Sequence, residues 1–306
     1  MRKTVSFFIF ALFAINSCTV DYDIPKISER VPDRIVINGF LTPMETVKIA
    51  FGVVSQADGG YVYRAANGVK VRLTEDGNVV YDGICEDTLL TLDYQPKTTA
   101  RYRIEASLDG YGTASAETSI PEAITGKIKY KGKTSQFYNE NLICYLYDCE
   151  NYGKNNQSAL YISYYTKSEG DTLMEINSLY SKDLLIDNLN RVGGMPILDE
   201  EVGSLYFDNY MRIKRNNIPL IDTLVFAPEY AFGDGVVRLL TAGDDYDTYM
   251  RTFYEQTLNV GYDDISGAFV RLVHVYSNVS GGYGIFAGYN EIFNEIAGYE
   301  ENENNF

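Results

Sequence analysis

The chain has no tryptophan and a single histidine, and it is short of positive charge, with 26 Lys and Arg against 42 Asp and Glu. Each scarcity removes a class of function. With one histidine, every imidazole-based arrangement must pass through His274, and neither a G-x-S-x-G elbow nor an H-E-x-x-H helix is present to frame a hydrolase. A formal charge of −16 repels phosphate backbones and anionic lipid heads, which argues against nucleic acid and against a polybasic membrane contact. The lack of tryptophan weakens a sugar-stacking platform, although 27 Tyr and 15 Phe supply aromatic surface. Cysteine is also scarce: Cys18, Cys85, Cys144 and Cys149 are too few for a disulfide scaffold and spell no metal cage. On one continuous strand Cys144 and Cys149 would face opposite ways and could not bridge without a turn between them. No run of about 20 apolar residues occurs, so no membrane-spanning helix is expected.

What is present begins with "MRKTVSFFIFALFAINSCTVDYD". Arg2 and Lys3 precede an apolar run from Val5 to Ile15, and Asn16, Ser17 and Cys18 follow, which is the grammar of a secretory signal. A cysteine directly after the small residue fits a lipoprotein signal over residues 1–17, with the Cys18 thiol receiving a diacylglyceryl group and becoming the new N-terminus. Cleavage there removes two positive charges and takes the net charge from −16 to −18. Several acyl chains on one residue make a stable anchor. Using Cys18 in this way leaves three cysteines, enough for at most one internal disulfide and one free thiol.

Residues 18–33, with Asp21, Asp23, Pro25 and Pro32 and little periodicity, read as an extended tether. From Arg34 the alternation is that of strands. Val47, Ile49, Phe51 and Val53 share one face; Val69, Val71 and Leu73 oppose Lys70, Arg72 and Thr74. Tyr102, Ile104, Ala106 and Leu108 likewise point inward. Asp76-Gly77 and Asp109-Gly110 are hairpin turns. About eight short runs in under 90 residues predict a β-sandwich over 34–121, ending at Pro121. A larger β-rich domain is expected over 122–306, carried by the tyrosine-rich runs "NLICYLYD", "QSALYISYYTK", "GSLYFDNYMRIK", "GVVRLLTA" and "GAFVRLVHVYSN". One amphipathic helix follows Asp244 and Asp245, where Tyr246, Tyr249, Met250, Phe253, Tyr254, Thr257 and Leu258 recur at helical spacing, a stripe that reads as core-facing.

The stretch "SNVSGGYGIFAGYN" contains G-x-G-x-x-A, one spelling of a dinucleotide-binding turn. Such a turn needs a helix after it and a second strand to complete the unit, and only 19 residues remain after Ala287, among them Glu291, Glu295, Glu300, Glu301 and Glu303. Gly281, Gly282, Gly284 and Gly288 therefore read as a backbone device that permits positive φ or close packing. At these residues the chain resembles the Bacteroidota lipoproteins catalogued as domain of unknown function 4249. The resemblance extends to "RIVINGFLTP", "YRIEASLDGYGTASAETSIP" and "AGDDYDTYMRTFYEQ", and so covers almost the whole chain after the signal. It implies lipidation at Cys18, an N-terminal immunoglobulin-like or carboxypeptidase-regulatory-like sandwich, and association with outer-membrane TonB-dependent transporters. Asp21 and Asp23 close behind Cys18 resemble a surface-export tag. The family has no assigned reaction.

Individual residues add little chemistry. In "AFVRLVHVYSN" His274 shares strand parity with Val270, Leu272 and Tyr276, which predicts a packed histidine rather than a general base. Asp244, Asp245 and Asp247 lack the glycine and distal glutamate of a calcium loop and read as a helix start; Asp263 and Asp264 fit a turn. Tyr161, Tyr164, Tyr165, Tyr206 and Tyr210 are the tyrosines whose exposure would mark a ligand surface. Asp87-Thr88-Leu89, Asp171-Thr172-Leu173 and Asp222-Thr223-Leu224 resemble a bacterial O-glycosylation motif and equally suit turns feeding strands. The expectation is a non-catalytic, lipid-anchored outer-membrane binding protein, accessory to a TonB-dependent transporter, with no cofactor, no metal and a ligand left open among small molecule, peptide and glycan. The alternative is a structural or adhesive envelope lipoprotein independent of a transporter, and a hydrolase ranks last.

Overall fold

The computed structural model describes residues 33–57, 60–131, 142–167, 173–175, 178–188, 191–192, 202, 206–229, 235–260 and 274–296. Residues 1–32, with Cys18, Asp21 and Asp23, lie outside the described residues. The first strands are β1 (Arg34–Leu41), β2 (Val47–Ala57), β3 (Gly60–Ala65), β4 (Val69–Glu75), β5 (Asn78–Cys85), β6 (Leu89–Leu92), β7 (Arg101–Leu108) and β8 (Gly112–Ser119). There follow β9 (Thr125–Lys131), β10 (Ile143–Glu150), β11 (Ala159–Lys167), β12 (Leu173–Glu175), β13 (Ser178–Tyr180), β14 (Arg191–Val192), β15 (Tyr206–Asp208) and β16 (Met211–Lys214). A 3-10 turn (Arg215–Leu220), β17 (Thr223–Pro228), β18 (Gly235–Ala242), helix α1 (Asp244–Val260) and β19 (Tyr283–Ile296) complete the order.

The architecture is mainly β, with one α-helix among the described residues. A nine-stranded sheet runs β12-β11-β18-β19-β1-β2-β3, with β16 also on β11 and β6 also on β2. A four-stranded sheet, β5-β4-β7-β8, covers one part of it, and a second core joins its other part to a six-stranded sheet, β14-β15-β13-β17-β10-β9. Strand alternation explains the first core. The inward residues Ile35, Ile37, Ile49, Phe51, Val71, Leu73, Tyr102 and Ile104 are fully buried, each side chain stabilising by roughly 1.5–3 kcal/mol. The second core holds Cys144, Leu146, Leu160, Ile162, Tyr164, Phe226, Val237 and Leu239.

Local chemistry sets the turns. Asp76 and Gly77 both take positive φ, 47° and 84°, as a two-residue primed turn requires, and the Asp76 carboxylate accepts the Arg101 N–H at 2.9 Å. Asp109-Gly110 turns β7 into β8, with the Tyr111 N–H donating to Leu108 O at 3.0 Å. At the start of β7 the buried Tyr102 hydroxyl accepts the Lys97 N–H at 2.7 Å, the kind of corner that ties a strand to the chain just upstream in immunoglobulin-like sandwiches. Tyr102→Phe strands that N–H, so the unfolding free energy should fall by about 1–2 kcal/mol, read as a lower urea midpoint at unchanged slope.

Three expectations need correction. The run "GSLYFDNYMRIK" is not one strand: Asn209 takes φ 62° and breaks it into β15 and β16. Residues 274–278, the described part of a run expected as strand, have no regular structure, because their polar groups serve neighbours instead of a ladder. The Tyr276 N–H donates to Thr252 Oγ1 at 2.9 Å, and the Asn278 side chain both accepts the Phe286 N–H and donates to Phe286 O, at 3.0 and 2.7 Å. The parity argument for Cys144 and Cys149 fails because β10 shifts register between Tyr147 and Glu150, with Asp148 at φ 50°. That irregularity returns Cys149 to the same core as Cys144. Both, and Cys85, are free thiols, and burial pushes the Cys149 thiol up to about 11.

The glycine run opens β19. No helix follows it, and β19 pairs in parallel with β1, from Val36 opposite Tyr283 to Leu41 opposite Gly288. It then continues antiparallel to β18. Phe286 therefore lies in the first core and Ile296 in the second.

Candidate binding surface

Helix α1 lies on the face of the nine-stranded sheet away from both sandwich cores. Its Tyr246, Met250 and Tyr254 pack on Ala159, Tyr161, Tyr210, Leu240 and Ala242, so the predicted core-facing stripe holds at these positions. Tyr161 and Tyr210 stand 4.9 Å apart between ring centres, as do Tyr210 and Tyr254. Such tilted and edge-on pairs add to the burial term.

A buried ion pair fixes the helix start. The Asp247 carboxylate accepts Arg212 Nε at 2.7 Å and Nη2 at 2.6 Å, the Tyr161 hydroxyl at 2.7 Å and the Ser158 hydroxyl at 3.0 Å. Burial alone would raise the Asp247 pKa; hydrogen bonds and charge from Arg212, with the two hydroxyls, outweigh it and hold the carboxyl below its usual range. Arg212 also reaches Asp187 at 2.8 Å. The neighbouring Asp245 accepts the Tyr276 hydroxyl at 2.7 Å. The acidic helix start is thus used internally. Among the described residues no cluster of three or more His, Cys, Asp or Glu could hold a metal.

The outer side of the helix is different. Phe253, expected to face the core, is instead 44% exposed, and on the adjoining β1 Phe40 is 39% exposed. Phe40 meets Tyr246 edge-on at 5.5 Å and Tyr249 at 5.8 Å, and Tyr249 stacks on Phe253 at 5.9 Å. These rings form a continuous aromatic strip on two rigid elements. A second aromatic group lies on the same sheet face. There Arg238 is paired to Glu291 at 2.5 Å, donates to the Tyr165 hydroxyl at 3.2 Å and lies 5.8 Å from the Tyr289 ring centre.

The sequence-predicted positions fall as follows. His274 is exposed, not packed, and no described residue joins it in a catalytic arrangement. Tyr161, Tyr164 and Tyr210 are buried and Tyr165 is half-buried, so these tyrosines build the core rather than a ligand surface. The Tyr206 side chain, Asp171, Thr172, Asp263 and Asp264 lie outside the described residues. Thr88 is exposed at the bend that feeds β6, and Thr223 is exposed as the first residue of β17. Phe40 and Arg212 were missed. Phe40 had a signal, an apolar residue at an outward position of β1 two places from the exposed Asn38; Arg212 had none, since "MRIK" shows only alternation.

A model of the family described as domain of unknown function (DUF4249) matches residues 19–292. The chain belongs to that family. Among curated proteins nothing matches. One of the solved structures that match is the crystal structure of bovine butyrophilin, at 10% identity, over 68% of this chain and 92% of that one, with a TM-score of 0.21. The DUF4249 sandwich is defined by its own strand order and core.

Proposed function

We propose that this DUF4249 protein is a Bacteroidota outer-membrane lipoprotein, anchored through acyl chains on Cys18, which acts by binding and without catalysis as an accessory of a TonB-dependent transporter. The observation that carries the reading is the strip of Phe40, Tyr249 and Phe253, aromatic surface held on rigid elements where a protein partner would bury it. The leader and Cys18 supply the anchor. Residues 19–33 give a contour of at most about 50 Å between anchor and body, enough to bring the strip beside a neighbour in the same membrane.

The test is gentle solubilisation of native membranes and recovery of the protein through a C-terminal tag. Stoichiometric co-recovery of a TonB-dependent transporter is expected, and the double variant Phe40→Ser, Phe253→Ser should lose it while its melting temperature stays near the parent's. Recovery of the lipoprotein alone, or co-recovery indifferent to the double variant, would reject the accessory role and favour an independent structural or adhesive one.

A further inference from the structure

Among the described residues the sheet ends are guarded, with one exception. β12 and β14 are only three and two residues long, and β9 carries Lys127, Lys129 and Lys131. On β5 the Tyr81 hydroxyl donates to Ile84 O at 3.0 Å beside a register shift, and β8 is bridged by Ser280 at 2.8 and 2.9 Å. Short strands, edge lysines, irregular register and cover by another segment all discourage the addition of a further strand. β3 ends the nine-stranded sheet without any of them. It is six residues long, has no lysine or proline, and keeps uninterrupted register with β2 from Gly52 opposite Ala65 to Ala57 opposite Gly60.

The direction of its backbone groups follows from one bond. The Ala66 N–H donates to Phe51 O at 3.1 Å, and in an antiparallel pair such bonded positions recur at every second residue. Val62 and Arg64 therefore turn their N–H and C=O to β2, and Tyr61, Tyr63 and Ala65 turn theirs to the open side. Side chains are open too: Val62 is 38% and Tyr63 53% exposed, and Arg64 and Ala65 are exposed as well. The Tyr63 ring leans over Gly52, where the missing side chain leaves room for it, so β3 is braced on β2. Charge names the occupant. Residues 49–69 contain Asp58 and Arg64 as their only charged side chains and are formally neutral, in a chain of net charge −16. A second copy, repelled by most of this surface, meets no net charge here. An antiparallel edge is also self-complementary about a two-fold axis. One register uses all three outward residues: Tyr63 opposite Tyr63 of the second copy, and Tyr61 opposite Ala65 in both directions. It sets each Arg64 opposite Val62, so like charges do not face each other.

We propose that β3 is a self-association edge, through which two copies of this chain join their nine-stranded sheets into one continuous sheet across a two-fold axis at Tyr63. The edge shares no residue with the aromatic strip, so the proposal stands or falls independently of the accessory role. The experiment is oxidative cross-linking of the full chain in detergent, read on non-reducing gels. At a bonded antiparallel pair the two Cα atoms lie about 5.5 Å apart, within the roughly 4.4–6.8 Å that a disulfide spans. Tyr63→Cys should therefore give a reducible species of twice the monomer mass. The parent and Val79→Cys, an exposed position on β5, set the background. Adding Ala65→Pro to Tyr63→Cys removes an outward N–H that serves no bond to β2. It should cut the dimer yield by at least about tenfold, since a hydrogen bond is lost in each direction. Circular dichroism should match that of Tyr63→Cys alone, which separates association from folding. A yield no higher than that of Val79→Cys would overturn the proposal, as would a yield indifferent to Ala65→Pro, which would mark chance collision. A cross-linked band of another mass would assign the edge to a different protein and overturn it too.

Discussion

Asp247→Asn is expected to lower the unfolding free energy by about 3–5 kcal/mol at neutral pH, the usual cost of removing one member of a buried ion pair. Asp247 and Arg212 keep side chains only 6% and 4% exposed, so the guanidinium left behind would keep the part-exposed Asp187 at Nη1 but have no charged acceptor and no water at Nε and Nη2. Tyr161 and Ser158 would lose their charged acceptor as well. The pair fastens α1 to β16 and β11, so the loss should unseat the aromatic strip along with the helix. Replacing both members, with Asp247→Leu and Arg212→Met, should recover much of the stability, because attraction between buried charges roughly offsets their desolvation. The pH dependence has a definite sign. Asp247 has a folded pKa held below the ordinary value of 3.8, so its contribution is fully present above that value and is lost as pH falls through the folded pKa. The gap between parent and Asp247→Asn should therefore narrow in acid. Urea midpoints at pH 7 and in acid decide it: a loss under about 1 kcal/mol, or a gap that ignores pH, would mean the pair is incidental.

The parts of this fold that were legible in the sequence are those whose cause is local. Alternation in Val69, Val71 and Leu73 and in Tyr102, Ile104 and Ala106 gave the correct inward faces, since period two along a strand suffices to place a side chain. Asp76-Gly77 announced its turn because few residues accept positive φ at both positions. Tyr246, Met250 and Tyr254 gave the helix and its buried side for the same kind of reason, at the helical period. What was not legible is set by long-range partners. Val36 meets Tyr283 across nearly the whole chain, and nothing near either residue names the other. Arg212 alternates like a solvent-facing strand residue, and its burial follows from Asp247 arriving on a helix 35 residues later. His274 kept strand parity on paper while Tyr276 and Asn278 bonded to α1 and β19. The tyrosines misled for a related reason: their hydroxyls suggested surface, but Tyr161 donates to a buried carboxylate.

Gly284→Ala is the second large effect, and it bears on the glycine signature itself. Gly284 has φ +105°, a conformation costing a side-chain-bearing residue of order 1–3 kcal/mol. A Cβ there would also stand 2.1 Å from Ile37 O and 2.7 Å from Asn38 Oδ1. Ile37 is the register partner of Gly284 in the parallel β1–β19 pair, and its other side pairs with Phe51, so that carbonyl cannot retreat without opening both ladders. Gly110→Ala provides the control, because Gly110 has φ +84° but open space where its Cβ would go. Gly110→Ala should cost about 1 kcal/mol, from the backbone conformation alone. Gly284→Ala should cost several times as much, a large share of the 5–15 kcal/mol that separates folded from unfolded chains. Its expected outcome is low soluble yield and rapid proteolysis of the segment containing β19. Equal losses at the two glycines, by urea midpoint, would show that crowding against β1 contributes nothing. A large difference would locate the purpose of the glycine run in assembly: it lets the last described strand lie backbone to backbone against the first, which a phosphate-binding turn would not require.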